Sequence, residues 1–331
     1  MIRNSLLACL LAAALAGQAL AARPQPQAAQ AKEAWSQGWQ AYSSYLDPRR
    51  PLDRAAREGQ LTQAWQSLSQ AAALQPQDPL YAEAAGYLAL QMAKYPDAEK
   101  HLARAWERAG REPRLRLLLG QVYSCNLAGA PDHTSKMIKK ALDAFTSGAR
   151  LDPDNATLHF TAASVLLDAG SGDWPGHLDQ ALAARELRLY LLPLPEAMPA
   201  ADALRLQLQF CSSQAARVLN VARGCQQRAR ADRTQALSWL AHAQVVALRL
   251  AAASPALASV ALAAVTSQRQ AEEALLQVGA GSPQRLELLQ AAQAALAAPA
   301  QALPRETDTI ATYLASQRQA VQQALLPLAP K

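Results

Sequence analysis

The stretch KYPDAEKHLARAW, residues 94–106, has the spacing of an amphipathic helix whose inward face is built mostly from small residues. Ala98, Leu102 and Ala105 stand at positions i, i+4 and i+7, which share one face of a helix. A helix that only needed to bury apolar area would carry leucine or isoleucine at all three positions. The two alanines therefore indicate that another helix crosses this face at close range.

The same pattern recurs at a spacing of 34 residues. Five pairs of residues share this spacing: Ala64 and Ala98, Leu68 and Leu102, Ala71 and Ala105, Pro79 and Pro113, and Gly86 and Gly120. The pattern of Ala98 then returns at Ala141, 43 residues later, and the nine extra residues fall in the loop-forming stretch NLAGAPDHTSKM, residues 126–137. A fixed period of this length predicts stacked helical hairpins that share one core.

The unit at residues 79–112 resembles a tetratricopeptide repeat. Its matching residues are Gly86 and Leu90 on helix A, Ala93 and Lys94 at the turn, and Tyr95, Ala98, Leu102 and Ala105 on helix B. The unit at 113–155 matches at Gly120, Tyr123, Ala141, Phe145, Gly148 and Pro153. The resemblance implies an all-α fold, a right-handed superhelix of helical hairpins with a concave groove lined mainly by helix A.

Weaker units flank these two. Residues 61–76 are predicted to be a helix B whose helix A surrounds Gly38, with residues 46–59 inserted between them. A fourth hairpin is predicted from helices at 156–170 and 177–192. From about Pro199 the period is lost but helical spacing persists, which predicts irregular helical hairpins, either degenerate repeats or a capping bundle. The predicted organisation is a signal peptide at 1–21, a repeat domain at 22–198 and an α-helical C-terminal region at 199–331.

The repeat register implies which positions of each helix A line the groove and contact a partner. These positions are Glu83, Tyr87, Leu90 and Gln91 in the first matched unit, Arg114, Gln121 and Ser124 in the next, and Phe160, Ser164 and Asp168 in the third. A mixed polar and aromatic lining suits an extended peptide or a helix. Packing between repeats is the alternative role for some of these residues, Tyr87 and Phe160 above all.

The N-terminus has the pattern of a signal peptide: a basic Arg3, an apolar stretch LLACLLAAALAG and a small-x-small site ending at Ala21. We therefore expect export and a periplasmic or secreted mature chain that starts at Ala22. An uncleaved anchor and a lipoprotein signal at Cys9 are the weaker alternatives, because the apolar stretch is short for a membrane span and Cys9 comes early in it. Residues 250–266 are uncharged, but Pro255 and the alanine and serine content favour two short buried helices over a span.

Three cysteines follow the predicted cleavage site, Cys125, Cys211 and Cys225. Cys211 and Cys225 are 14 residues apart, which is about 21 Å along one straight helix and too far for a disulfide. They can pair only if the helix breaks between them, for instance at Ser212 and Ser213. A disulfide and two free thiols both remain open from the sequence.

The chain carries no motif that predicts catalysis, a metal site or a cofactor. Its formal charge of +6 comes mainly from residues 200 onward, with 12 basic and 7 acidic residues, against 19 of each at 22–199. This basic surplus favours either an anionic surface or, more simply, a solvated helix face. Nucleic acid is excluded as a partner by the expected export and by the lack of interleaved basic and aromatic residues.

These patterns together predict a non-enzymatic, exported scaffold or assembly factor of a bacterial cell envelope. Its expected partner is a protein or peptide of the envelope, bound in the groove of the superhelix, with no cofactor and no stable membrane span. An accessory component that binds glycan or lipid, and a self-associating structural protein, are the alternatives. The oligomeric state does not follow from the sequence.

Overall fold

The computed structural model describes residues 26–128, 130–232 and 235–253. Within these ranges the chain forms ten helices and no strand, and the only β-type pairing is an isolated parallel bridge between Asn155 and Glu186. The helices are α1 Pro26–Leu46, α2 Arg54–Leu74, α3 Pro79–Gln91, α4 Tyr95–Ala109, α5 Pro113–Cys125, α6 Pro131–Ala149, α7 Thr157–Asp168, α8 Trp174–Ala183, α9 Ala200–Ala231 and α10 Ala236–Ala253. The predicted all-α class is confirmed.

The described chain divides into two compact units. The first consists of residues up to 110 together with 193–203, and the second consists of 111–192 together with the residues from 204 onward. Within the units, neighbouring helices pack as antiparallel pairs: α1 with α2, α3 with α4, α5 with α6, and α7 with α8. This sequential pairing is the arrangement expected of a repeat-like helical array.

In the first unit, small residues stand where the two helices of each hairpin cross. A Cβ added to Gly86 of α3 would lie 2.6 Å from Cγ of Leu102 on α4. Gly38 of α1 meets Leu68 of α2 at the same distance. Ala98, Leu102 and Ala105 are completely buried on α4. The hairpin helices therefore cross closely at Gly38 and Gly86, and Ala98 and Ala105 are buried on the same face of α4 as Leu102.

The turn between α3 and α4 holds an alanine in the left-handed backbone region. Ala93 has φ of 55°, a conformation that glycine adopts at little cost and an L-residue does not. The N–H groups of Ala93 and Lys94 donate to the carbonyls of Leu90 and Ala89, which satisfies the end of α3. The turn predicted at this position is thus present, and Ala93 adopts its unfavourable left-handed backbone conformation.

The second unit repeats the crossing geometry. The ring of Phe145 on α6 fills the space beside Gly120 of α5, so a Cβ at Gly120 would overlap the ring. Gly148, one turn further along α6, lies where a Cβ would be 2.8 Å from Leu158 of α7. A core cluster that includes Phe160, Leu178 and Val218 joins α7, α8, α9 and α10.

Two loops are shorter than predicted. The insertion expected at 46–59 ends at Asp53, whose carboxylate accepts the N–H of Ala56 and caps α2 at Arg54. The loop expected around 126–137 ends at Ala130, because Pro131 is well placed as the first residue of α6 and Asp132 follows in its first turn.

The fourth hairpin differs from its prediction. Its first helix, α7, forms as expected, but the second, predicted at 177–192, runs only from Trp174 to Ala183 as α8. Residues 186–192 form no helix, and their backbone groups pair at every second residue, so we refer to them as the extended segment. Pro193 disfavours helical backbone at Leu192, the last residue of this segment.

The C-terminal region begins with one long helix. The sequence left open a helix break at Ser212 and Ser213, but α9 is continuous over 32 residues and contains both Cys211 and Cys225. Both thiols are free and buried, so the alternative of an internal disulfide is excluded. The predicted helices beyond residue 253, most of the uncharged stretch 250–266 and the predicted signal peptide at 1–21 lie outside the described residues.

Candidate functional site

The groove positions predicted on α3 lie mostly inside the first unit. Glu83, Tyr87 and Leu90 are 2%, 1% and 8% exposed, whereas Gln91 at the end of the helix is exposed. The ring of Tyr87 packs 5.9 Å from the ring of Trp39 and 6.1 Å from that of Tyr42, both on α1. Of these four positions, Gln91 is therefore the one that solvent and a partner reach directly.

An aromatic cluster explains the burial of Tyr87. Trp39 and Tyr42 are almost fully buried beside it, and Tyr45 stacks on Tyr42 at 6.0 Å. Burial raises the pKa of Tyr42 well above its ordinary value. The cluster packs α1 against α3 through aromatic contacts within the first unit.

In the second unit the predicted positions are divided between the interior and the surface. Gln121 and Ser124 of α5 are buried, and the Ser124 hydroxyl donates to the Gln121 carbonyl at 3.1 Å. Phe160 is completely buried in the core cluster, and Arg114 is half-buried. Arg114 is thus the accessible member of this group on the start of α5.

The last two predicted positions, Ser164 and Asp168, are contacted by α9. The amide of Asn220 donates to the Ser164 hydroxyl at 3.0 Å and to the Asp168 carboxylate at 2.9 Å. Arg217 forms an ion pair with Asp168. Helix α9 therefore occupies the face of α7 that the repeat register assigned to a partner.

A second feature, which the sequence interpretation missed, surrounds the extended segment. Three side-chain carboxamides form hydrogen bonds with backbone N–H and C=O groups at every second residue of this segment, which are Arg188, Tyr190 and Leu192. These carboxamides belong to Asn155, which precedes α7, and to Gln207 and Gln214 on α9. We call these three residues the carboxamide face.

Each carboxamide makes a reciprocal pair of hydrogen bonds with one backbone residue. The Tyr190 N–H donates to Gln214 Oε1 and Gln214 Nε2 donates to the Tyr190 carbonyl, both at 2.9 Å. Gln207 pairs with Leu192 at 2.9 and 2.8 Å. This pattern copies the bonding of a neighbouring β-strand, because a carboxamide offers a donor and an acceptor side by side.

Asn155 completes the row. Its Oδ1 accepts the Arg188 N–H and its Nδ2 donates to the Arg188 carbonyl, both at 3.0 Å. Asn155 and Gln214 are completely buried, and Gln207 is partly buried. Asn155 also bonds to Asp152 and to the Thr157 N–H, and Gln214 Nε2 also reaches the Phe210 carbonyl at 3.4 Å. The segment therefore adds hydrogen bonds to carboxamides that are already partly satisfied.

The outer side of the extended segment is held by charge. The Arg188 guanidinium lies 3.0 Å from Asp152 Oδ1, and the Tyr190 hydroxyl donates to Asp152 Oδ2 at 3.0 Å. Burial and the neighbouring Asp152 carboxylate raise the pKa of Tyr190 above its ordinary value. The Arg188 side chain is 58% exposed, so this ion pair is accessible to solvent and open to substitution.

Histidines form the main titratable cluster of the second unit. The rings of His159 on α7 and His177 on α8 lie 6.1 Å apart, and burial lowers the pKa of both, with a further lowering of the pKa of His159 by His177. Burial also lowers the pKa of His242 on α10. The described residues contain no group of three side chains suited to hold a metal ion.

Arg249 anchors α10 to the end of α8. Its guanidinium donates to the carbonyls of Ala181, Leu182 and Ala184 at 2.8–3.0 Å. These are the carbonyls that the last turn of a helix leaves without partners. The described helices include none with the length and hydropathy required to cross a membrane.

No family model matches the chain, and no curated protein is significantly similar to it. The architecture and the contacts above therefore carry the functional argument.

Proposed function

We propose that this protein is an exported scaffold or assembly factor of the cell envelope that binds a polypeptide through tetratricopeptide-like helical hairpins stacked in a right-handed superhelix. The observation that supports this most is the repeated crossing of a glycine and a large residue, Gly86 with Leu102 and Gly120 with Phe145, at the same register in successive hairpins. Arrays of this kind create extended concave surfaces that bind partners.

The contact positions proposed for the partner are the accessible members of the predicted set. Gln91 is exposed and Arg114 is half-buried at the ends of their helices. A partner that contacts them would leave the buried positions, such as Tyr87, as the support beneath the binding surface. No cofactor or catalytic role is part of the proposal.

Capture of the partner tests the proposal. The tagged full chain is crosslinked in envelope fractions and purified, and attached polypeptides are identified by mass spectrometry. Gln91→Ala with Arg114→Ala is expected to reduce capture of a specific polypeptide, while the matched exposed variant Gln66→Ala with Gln70→Ala on α2 keeps it. Equal capture by both double variants would refute the proposed contact surface.

Export belongs to the same proposal. Cleavage after Ala21 gives a mature chain that begins at Ala22, as the apolar stretch and the small residues at 19–21 suggest. The intact mass of the chain recovered from cells measures this directly. A full-length mass that includes Met1, or recovery only from the cytoplasm, would contradict export.

A further inference from the structure

We propose that the carboxamide face is a binding site for extended polypeptides, that the chain's own extended segment fills it, and that an extended segment of another polypeptide with apolar residues at alternate positions can replace it. The proposal concerns a face formed by α9 and Asn155, which differs from the accessible groove positions of the proposed function. It rests on the bonding of the extended segment and not on a particular natural partner.

The carboxamides recognise backbone and not side chains. Asn155, Gln207 and Gln214 each pair with the N–H and C=O of a single residue in the segment. Gln207 and Gln214 are seven residues apart, two turns along one face of α9. Cys211 lies between them on that face, with its Sγ 3.7 Å from the Tyr190 carbonyl. A face of this kind pairs with the backbone of an extended chain that has N–H groups at alternate residues.

The packing of the segment defines the side chains that an incoming chain needs. Leu187 and Leu189 are each 7% exposed and belong to the core cluster, whereas Arg188 between them points to solvent. The fitting ligand is therefore extended, carries leucine-sized residues at two alternate positions, and has no proline where a backbone N–H must donate.

Most contacts of the extended segment lie in the interior, but its surface ion pair can be weakened by substitution without altering the core leucines. Arg188 pairs with Asp152 at the surface, and its charge is also 3.6 Å from Glu186. Arg188→Glu would place three carboxylates together and favour release of the segment, while Leu187 and Leu189 stay intact. The apparent affinity for a competing peptide rises in proportion to the fraction of molecules whose carboxamide face is empty.

The experiment uses the full chain and a fluorescent synthetic peptide with the sequence of residues 185–194, RELRLYLLPL. Fluorescence anisotropy measures its binding to the unaltered chain and to Arg188→Glu. We expect saturable binding to both, about tenfold tighter to Arg188→Glu, since the segment vacates the face more often. A peptide with proline in place of the residues equivalent to Tyr190 and Leu192 serves as the control and is expected not to bind.

A second pair of variants keeps the test decisive. In the Arg188→Glu chain, Gln207→Ala with Gln214→Ala is expected to weaken peptide binding by about tenfold or more, as two reciprocal hydrogen-bond pairs are lost. Gln209→Ala with Gln227→Ala, exposed positions on the same helix, is expected to leave binding unchanged. If Arg188→Glu unfolds, as judged by circular dichroism, Arg188→Ala replaces it.

The proposal would be overturned if the folded variants do not bind the peptide. It would also be overturned if the proline peptide binds equally well and the glutamine substitutions leave binding unchanged. Because the probe is synthetic, its failure does not affect the capture experiment at Gln91 and Arg114. Conversely, if the capture experiment finds no natural partner, the result of the peptide titration is unaffected. The two proposals therefore fail independently.

Discussion

At the scale of single residues, the hairpins depend on positions where a side chain must be absent. Gly86 lies where any Cβ would enter the space of Leu102, and the backbone N of Leu102 is only 3.1 Å from that Cβ position. Leu102 is completely buried, and protein interiors are close-packed. The glycine is therefore a packing requirement, not a source of flexibility.

Gly86→Ala is expected to lower the free energy of unfolding by about 1–3 kcal/mol, because overpacking forces Leu102 or the helix backbone to shift. The control is Gly59→Ala on α2, where an added Cβ meets nothing within 4 Å. That control should be neutral or stabilising by up to about 1 kcal/mol through better helix propensity. Urea denaturation followed by circular dichroism measures both. A stable Gly86→Ala would contradict the close crossing.

Ala93 shows the opposite case, a position where a side chain is present and glycine would be better. Its left-handed φ of 55° predicts that Ala93→Gly raises the free energy of unfolding by about 1 kcal/mol. Ala103→Gly, within α4 of the same hairpin, should lower it by about the same amount. Opposite signs in one urea-denaturation series support the turn geometry, and equal destabilisation by both would refute it.

At the scale of elements, the sequence predicted which helices pair into hairpins better than it predicted where each helix begins and ends. The pairing of α3 with α4 and of α5 with α6 follows from residues inside the 34-residue register, such as Ala98 and Phe145, whose contacts are local. The extended segment was predicted to be helical, since its composition continues that of α8. Its extended backbone depends on Gln207 and Gln214, which follow it in the chain and lie outside any repeat.

The groove positions illustrate the same limit. The register identifies the side of each helix A that faces away from helix B, so positions such as Gln91 could be located. It does not indicate what else covers that side. Asp168 is contacted by Asn220 and Arg217 from α9, and α9 has no place in the 34-residue period. Asn155 is the last residue of the unit at 113–155, and its pairing with Arg188 becomes visible only in three dimensions.

The α7–α8 hairpin is expected to lose stability in mild acid. Burial lowers the pKa of His159 and His177 in the folded chain, so the unfolded chain binds protons more readily and stability falls as pH drops below the ordinary histidine pKa of about 6.5. His101 and His242, whose pKa values are also lowered by burial, contribute in the same direction. Two positive imidazoles in the His159–His177 pair would also repel each other.

The check compares urea midpoints between about pH 7.5 and pH 5.5, a range in which ordinary carboxylates stay mostly ionised. The midpoint should fall with pH in the unaltered chain and fall less in His159→Gln with His177→Gln. His133→Gln serves as the control, because it replaces a histidine outside this pair. An identical pH dependence in all three chains would exclude the pair as a source of acid sensitivity.

At the scale of the whole molecule, the two units share one construction principle but differ in what completes them. The first is completed by an aromatic cluster around Trp39 and Tyr87, and the second by α9, α10 and the extended segment. A free-standing hairpin could not bury its apolar face, so each unit needs such a partner element. The proposed role as a scaffold follows from surfaces that remain after this completion, with Gln91 among them.

Site-specific photo-crosslinking in living cells tests the proposed polypeptide binding most directly. A photoreactive amino acid placed at Gln91 is compared with the same amino acid at Gln70, an exposed position on α2 of the same unit. The account predicts that Gln91 yields a discrete adduct with another polypeptide and that Gln70 does not. The absence of any adduct at Gln91, or the same adducts at both positions, would contradict it.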